Sequence, residues 1–158
     1  MKRISIIIAS LLLVFSFSLS AQAPYKHSVG LTLGSADGIS YKNFLKDNLA
    51  LDINLGYHVT YFKGRCHTFE VNPNIEYELS AHSDGLYWFV GGGLSLGYGT
   101  PGAGKFGINA IGGVEYKFNI PLTLQLDLRP GFGTTFNSSG SWGYFDWGIS
   151  LGVRYTIH

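Results

Sequence analysis

Apolar side chains at every second position dominate the C-terminal end of this chain. Phe145, Trp147, Ile149, Leu151, Val153, Tyr155 and Ile157 are separated by Asp146, Gly148, Ser150, Gly152, Arg154 and Thr156. On a strand, successive side chains point to opposite faces, so this segment has one greasy face and one polar or minute face. A helix would need apolar recurrence at three and four, and no stretch beyond residue 23 shows it.

The same period returns along the chain. Leu122, Leu124, Leu126, Leu128 and Phe132 alternate with Thr123, Gln125, Asp127, Arg129, Gly131 and Gly133. Phe106, Ile108, Ala110, Val114, Tyr116 and Phe118 alternate with Lys105, Gly107, Asn109, Gly113, Glu115 and Lys117. Trp88, Val90, Leu94, Leu96 and Tyr98 oppose Phe89, Gly91, Gly93, Ser95 and Gly97. Phe69, Val71, Pro73, Ile75, Tyr77 and Leu79 oppose Glu70, Asn72, Asn74, Glu76 and Glu78, and Leu49 to Tyr61 repeats the pattern around Asp52 and Asn54. Two shorter segments, 26–34 and 38–46, keep it through Val29, Leu31, Leu33, Ile39 and Tyr41. Eight strands result. The breaks carry the Gly, Asn, Asp and Pro of tight turns, as in Ser35-Ala36-Asp37-Gly38, Lys63-Gly64-Arg65 and Asn119-Ile120-Pro121. Connections this short predict an antiparallel up-and-down meander in one domain. Pro73 lacks an N–H for the ladder, so a bulge is expected there.

The first residues read differently. Lys2 and Arg3 precede an apolar run from Ile4 to Phe17, then the small residues Ser18, Ser20, Ala21 and Ala23. This is the pattern of a secretory signal, expected over 1–21, with Ala23 as the other possible cleavage site and the barrel over 22–158. Without Lys2 and Arg3 the chain holds nine basic and ten acidic residues. That balance argues against nucleic acid as a partner. Cys66 is the only cysteine, which excludes an intramolecular disulfide.

Eight alternating strands close as a soluble barrel with a greasy interior or as a membrane barrel with a polar one. The apolar face is too large for a small ligand cavity to hold. The polar face also carries most of the strand glycines, such as Gly30, Gly91, Gly93, Gly107 and Gly113, which suit the cramped inside of a narrow barrel. Lys42, Asp52, Glu70, Glu76, Glu78, Lys105, Glu115, Lys117, Asp127, Arg129, Asp146 and Arg154 therefore face inward. These seven acids and five bases are expected to form an ion-pair network, since a buried charge is tolerated only when paired. Arg154, Arg129, Lys42 and Lys117 are the candidate partners of Glu70, Glu76 and Glu78. The expected fold is an all-β, eight-stranded antiparallel transmembrane barrel with a polar, plugged lumen.

Aromatic placement agrees. With the first strand running outward, Tyr61, Phe69, Tyr98, Phe106, Phe132, Phe145 and Trp147 fall near one end, and Tyr77, Trp88, Tyr116, Phe118 and Tyr155 near the other. Two girdles around an aliphatic band match the two interfaces of a bilayer. Tyr57 is the exception, an aromatic expected within the band.

Gly38-Ile39-Ser40-Tyr41-Lys42, Leu49-Ala50-Leu51-Asp52, Gly85-Leu86-Tyr87-Trp88 and the closing Ser150 to Ile157 together resemble the OmpA-type and OmpX-type outer-membrane barrels, and among them the small Bacteroidetes-like ones. The resemblance covers the whole chain after the signal. It implies a monomer in the Gram-negative outer membrane, surrounded by lipid and lipopolysaccharide. It also implies insertion by the barrel-assembly machinery through a last-strand signal, here Gly152, Tyr155 and Ile157, with His158 added after it. A non-enzymatic structural or envelope-integrity role follows, with no cofactor, metal or catalytic residue. The alternatives are a lipid- or lipopolysaccharide-modifying barrel enzyme, a narrow ion pore and a ligand-binding barrel.

Three motifs invite other readings. Gly93 to Gly97 and Gly148 to Gly152 fit G-x-S-x-G, but that motif acts through a strand-to-helix turn and these lie mid-strand. Gly102 to Gly107 fits G-x-G-x-x-G, but a strand, not a helix, follows. His58 and His67 stand on the two arms of one hairpin and could approach each other there, a weak metal signal without a third ligand.

Overall fold

A computed structural model describes residues 23–35, 37–60, 66–81, 84–100 and 102–157. Residues 1–22, where a signal is expected, lie outside them with Tyr61, Lys63, His82 and His158, as do the side chains of His58 and Cys66. Eight strands run in chain order: β1 (His27–Gly34), β2 (Gly38–Lys46), β3 (Leu49–Thr60), β4 (Cys66–Ser80), β5 (Leu86–Gly99), β6 (Ala103–Lys117), β7 (Leu122–Asn137) and β8 (Gly140–Ile157). Each pairs antiparallel with its neighbour, and β1 pairs with β8 from His27↔Ile157 to Gly34↔Ser150, closing the ring. Closure leaves no free sheet edge along the paired length, the condition a membrane-crossing sheet must meet.

The alternation is realised as a barrel turned inside out relative to a soluble one. Leu31, Leu33, Ile39, Leu126, Leu128, Ile149 and Trp147 are exposed on the outer wall. Lys42, Asp52, Glu76, Glu78, Glu115, Asp127 and Arg154 are almost fully buried inside. Phe89 and Ile111 also point inward, so the interior is polar with apolar inserts. Phe89 sits over Gly113, where a Cβ would collide with the ring and with the Leu126 and Asp127 backbone.

Strand lengths rise from 8 residues in β1 to 18 in β8. The β7–β8 hairpin therefore extends past the β1–β2 turn at one end of the barrel, here termed the hairpin mouth. The first and last described residues lie at the opposite, terminal mouth.

Two expectations are corrected here. Pro73 causes no bulge: Val71 opposes Leu96 and Asn74 opposes Gly93, so the register is unchanged on either side of an unpaired step. The missing N–H costs rungs of the ladder, not an extra residue. Pro130 does the same between β6 and β7. The register shift lies instead between Phe44 and Lys46, where β2 leaves β3. Tyr57 is no exception to the girdles. It pairs with Phe69, which pairs with Tyr98, so it joins the band at the hairpin mouth.

Candidate functional site

The interior is built from inward positions of all eight strands and one residue before β1. Lys42 on β2 is its first centre. Its Nζ lies 2.9 Å from Glu76 Oε2 and 3.1 Å from Glu115 Oε2, and contacts Glu78 Oε1. It also stands over the rings of Phe89 at 5.1 Å and Phe44 at 5.5 Å, on the negative faces that attract a cation. Arg154 on β8 is the second centre. Its Nε donates to Ser40 Oγ at 2.7 Å, its Nη1 to Gln125 Oε1 and to Glu115 Oε2 at 3.5 Å, and its Nη2 to both Asp52 oxygens at 3.3 Å. Glu115 joins the two centres. Arg129 on β7 is the third, with Nε donating to Asp127 Oδ1 at 2.6 Å and Nη2 to Asp127 Oδ2 at 3.2 Å. A guanidinium suits this crossing point because its donors diverge in one rigid plane.

Tyr25, before β1, completes the cluster from the terminal mouth. It is buried edge-on against Phe44 at 5.1 Å, and its OH donates to Glu115 Oε1 at 2.7 Å. Burial, and then the Glu115 charge, push the Tyr25 phenol well above its ordinary pKa. Sequence periodicity carries no signal for it, because a lone aromatic ahead of the first strand has no partner at i+2.

The partner assignments are corrected in part. Lys42 takes Glu76 and Glu78 as expected, but Glu70 pairs with Lys105 at 2.8 Å. Arg129 and Arg154 serve Asp127, Asp52 and Glu115. Lys117 pairs with no carboxylate among the described residues. Its Nζ donates to the carbonyls of Phe118 at 2.7 Å and Ile120 at 3.0 Å, fastening the β6–β7 turn. Asp146 is half-exposed at the hairpin mouth, 3.8 Å from Lys105.

That mouth is a second polar site. A cavity of about 430 Å³ is lined by Ser35, Glu70, Lys105, Thr135, Tyr144 and Asp146 among others. A smaller one, about 40 Å³, shares Glu70, Lys105, Tyr144 and Asp146 with it and adds Asn72, Ser95, Asn109 and Arg129. Lys105 Nζ stands 4.7 Å from the Tyr144 ring centroid.

On the outer wall, Phe69, Tyr98, Phe106, Phe132, Phe145 and Trp147 are exposed in one band and Tyr77, Trp88, Tyr116 and Tyr155 in the other. Phe118 is half-buried, edge-on to Tyr116 at 4.8 Å. Phe136 and Trp142, on the extended hairpin, are exposed as well, beyond the residues expected in the girdles. In the last strand, Gly152 sits opposite Thr32 and Gln125, while Tyr155 and Ile157 face out. His67 Nδ1 lies 2.5 Å from Tyr57 OH. The two motif serines are inward too: Ser95 donates to Asn109 Oδ1 at 3.3 Å, and Ser150 meets Ser35 at 2.9 Å.

No protein-family model and no curated protein matches the chain. Among the crystal structures similar to it are two eight-stranded barrels. Neisserial surface protein A (NspA) has a TM-score of 0.63 at 17% identity, over 83% of this chain and 93% of that one. The N-terminal β-barrel domain of Pseudomonas aeruginosa OprF has a TM-score of 0.54 at 18% identity, over 86% of this chain and 98% of that one. At such identity the likeness is one of fold: a closed, eight-stranded, up-and-down antiparallel barrel.

Proposed function

We propose that this chain is an integral outer-membrane barrel with a structural, non-enzymatic role in the envelope. One observation carries the reading. The exposed wall is aliphatic with aromatic bands, while the charges are buried inside. In water that arrangement would expose apolar area far beyond what a soluble monomer tolerates. In a bilayer it satisfies both solvents, lipid outside and ion pairs inside. The two similar barrels, one a surface protein, support the location. Export by the N-terminal signal, insertion through Gly152, Tyr155 and Ile157, a monomeric state and contact with lipopolysaccharide belong to the same reading. So does kinship with the OmpA and OmpX types.

Cell fractionation tests it. The protein should sediment with the outer membrane, need detergent for release and migrate differently on a gel before and after boiling. Recovery as a soluble monomer without detergent would refute the reading.

A further inference from the structure

We propose that the hairpin mouth is a binding site for a small zwitterion, a solute carrying one carboxylate and one ammonium group. Arg129 supplies the deep anchor. Its Nε and Nη2 are committed to Asp127, and Nη2 is also 3.7 Å from Asp52, but Nη1 has no hydrogen-bond partner among the described residues. Its side chain is only 7% exposed, yet Arg129 lines the inner cavity. A buried guanidinium nitrogen without an acceptor is costly to leave unmet, and a carboxylate oxygen is its strongest complement. The Asn72 and Asn109 amides and the Ser95 hydroxyl line the same cavity.

The shallow end has the opposite need. Asp146 has only a loose ion pair, 3.8 Å from Lys105 Nζ, and its side chain is 55% exposed. Lys105 is held more closely by Glu70, at 2.8 Å. Glu70 and Asp146 against Lys105 leave the wider cavity acidic, with the Tyr144 ring on its wall. An ammonium group is the complement of a half-paired, exposed carboxylate. The site therefore presents a buried donor below and an acidic rim above. A simple anion would meet Glu70 and Asp146 on entry, and a simple cation would leave Arg129 Nη1 unmet. The wider cavity, about 430 Å³, lies within the range of small-molecule sites.

L-alanine serves as the probe, with propionate as its carboxylate half and L-alaninamide as its ammonium half. Each is titrated by NMR into the isotope-labelled, folded protein in detergent micelles. L-alanine should give saturable amide shifts at Asn109, Tyr144 and Asp146 in the millimolar range, with each half binding about tenfold more weakly. Arg129→Gln strips Asp127 of its partner and endangers the fold, so Asp146→Asn, at an exposed position, is the decisive variant. It should remove the preference for L-alanine over propionate while heat-modifiable migration is retained. No saturable shift, equal binding of propionate and L-alanine, or an unchanged preference in Asp146→Asn would each overturn the proposal. Because the titration uses purified, folded barrel, its failure is distinct from a failure of the membrane reading.

Discussion

Arg154 shows how much of the interior one side chain holds. It contacts Ser40, Asp52, Glu115 and Gln125, on four different strands, with almost no exposed surface. Arg154→Ala would leave Asp52 and Glu115 short of a cation in a closed space. Such loss of one partner costs about 3–5 kcal/mol, so refolding titrations should show a large fall in stability. Lys46→Ala, at an exposed position, should change little. Tyr25 makes a second case with a pH signature. The fold holds its phenol protonated, whereas in the unfolded chain it ionises near pH 10, roughly. Its contribution is therefore complete below that pH and is lost as pH rises further. Tyr25→Phe should cost about 1–3 kcal/mol at neutral pH by stranding Glu115 Oε1, and should flatten the alkaline fall in stability. An unchanged alkaline limb would contradict the buried position of Tyr25.

At the scale of the strand, two adjacent glycines separate inside from outside. A Cβ on Gly113 would strike Phe89 and the β7 backbone, whereas one on Gly112, on the outer wall, would meet only an ordinary contact with Phe89 O. Gly113→Ala should cost about 1–3 kcal/mol by overpacking, while Gly112→Ala should be neutral or slightly stabilising. Equal effects in the same titration would mean that the faces of β6 are reversed. The outer wall is tested on β7. Leu126→Arg should cost about 2–4 kcal/mol, the penalty for a cation near the bilayer midplane, against about 0–1 kcal/mol for Ile120→Arg in the β6–β7 turn. Gln125 would be a poor inward control, because its Oε1 accepts from Arg154 and an arginine there would face like charge. The alternation made β3 to β8 and their two faces readable from sequence, since period two assigns each side chain a side. It could not tell which charges meet. Lys105 reaches Glu70 across the intervening β5, and such meetings depend on the stagger of the closed ring. The Phe44–Lys46 shift was hidden for a related reason: an extra residue at a strand end leaves no break in a pattern already fading into a turn.

For the whole molecule, closure explains why so few apolar residues form a conventional core. Tyr25, Phe44 and Ala50 cluster at the terminal mouth, and the remaining buried volume is largely hydrogen-bonded polar groups. The three cation centres and the Tyr25 ring together occupy the bore, so the protein should pass little or no current in planar bilayers. Steady ohmic current would show that the Lys42, Arg129 and Arg154 contacts open in the membrane. The hairpin mouth was legible only as charges facing inward. Its cavity arises because β7 and β8 outrun β1, and a sequence does not state how far one strand projects past another.

The central claim is that the alternating greasy face meets lipid. Its most direct test is a single-tryptophan protein carrying Leu126→Trp, with Trp88, Trp142 and Trp147 replaced by Phe, in bilayers of lipids brominated at different depths. Quenching should be strongest from bromines deep in the acyl chains and weak from aqueous iodide. Efficient quenching by iodide, with little from any brominated lipid, would place Leu126 in water or in the lumen and contradict the membrane barrel.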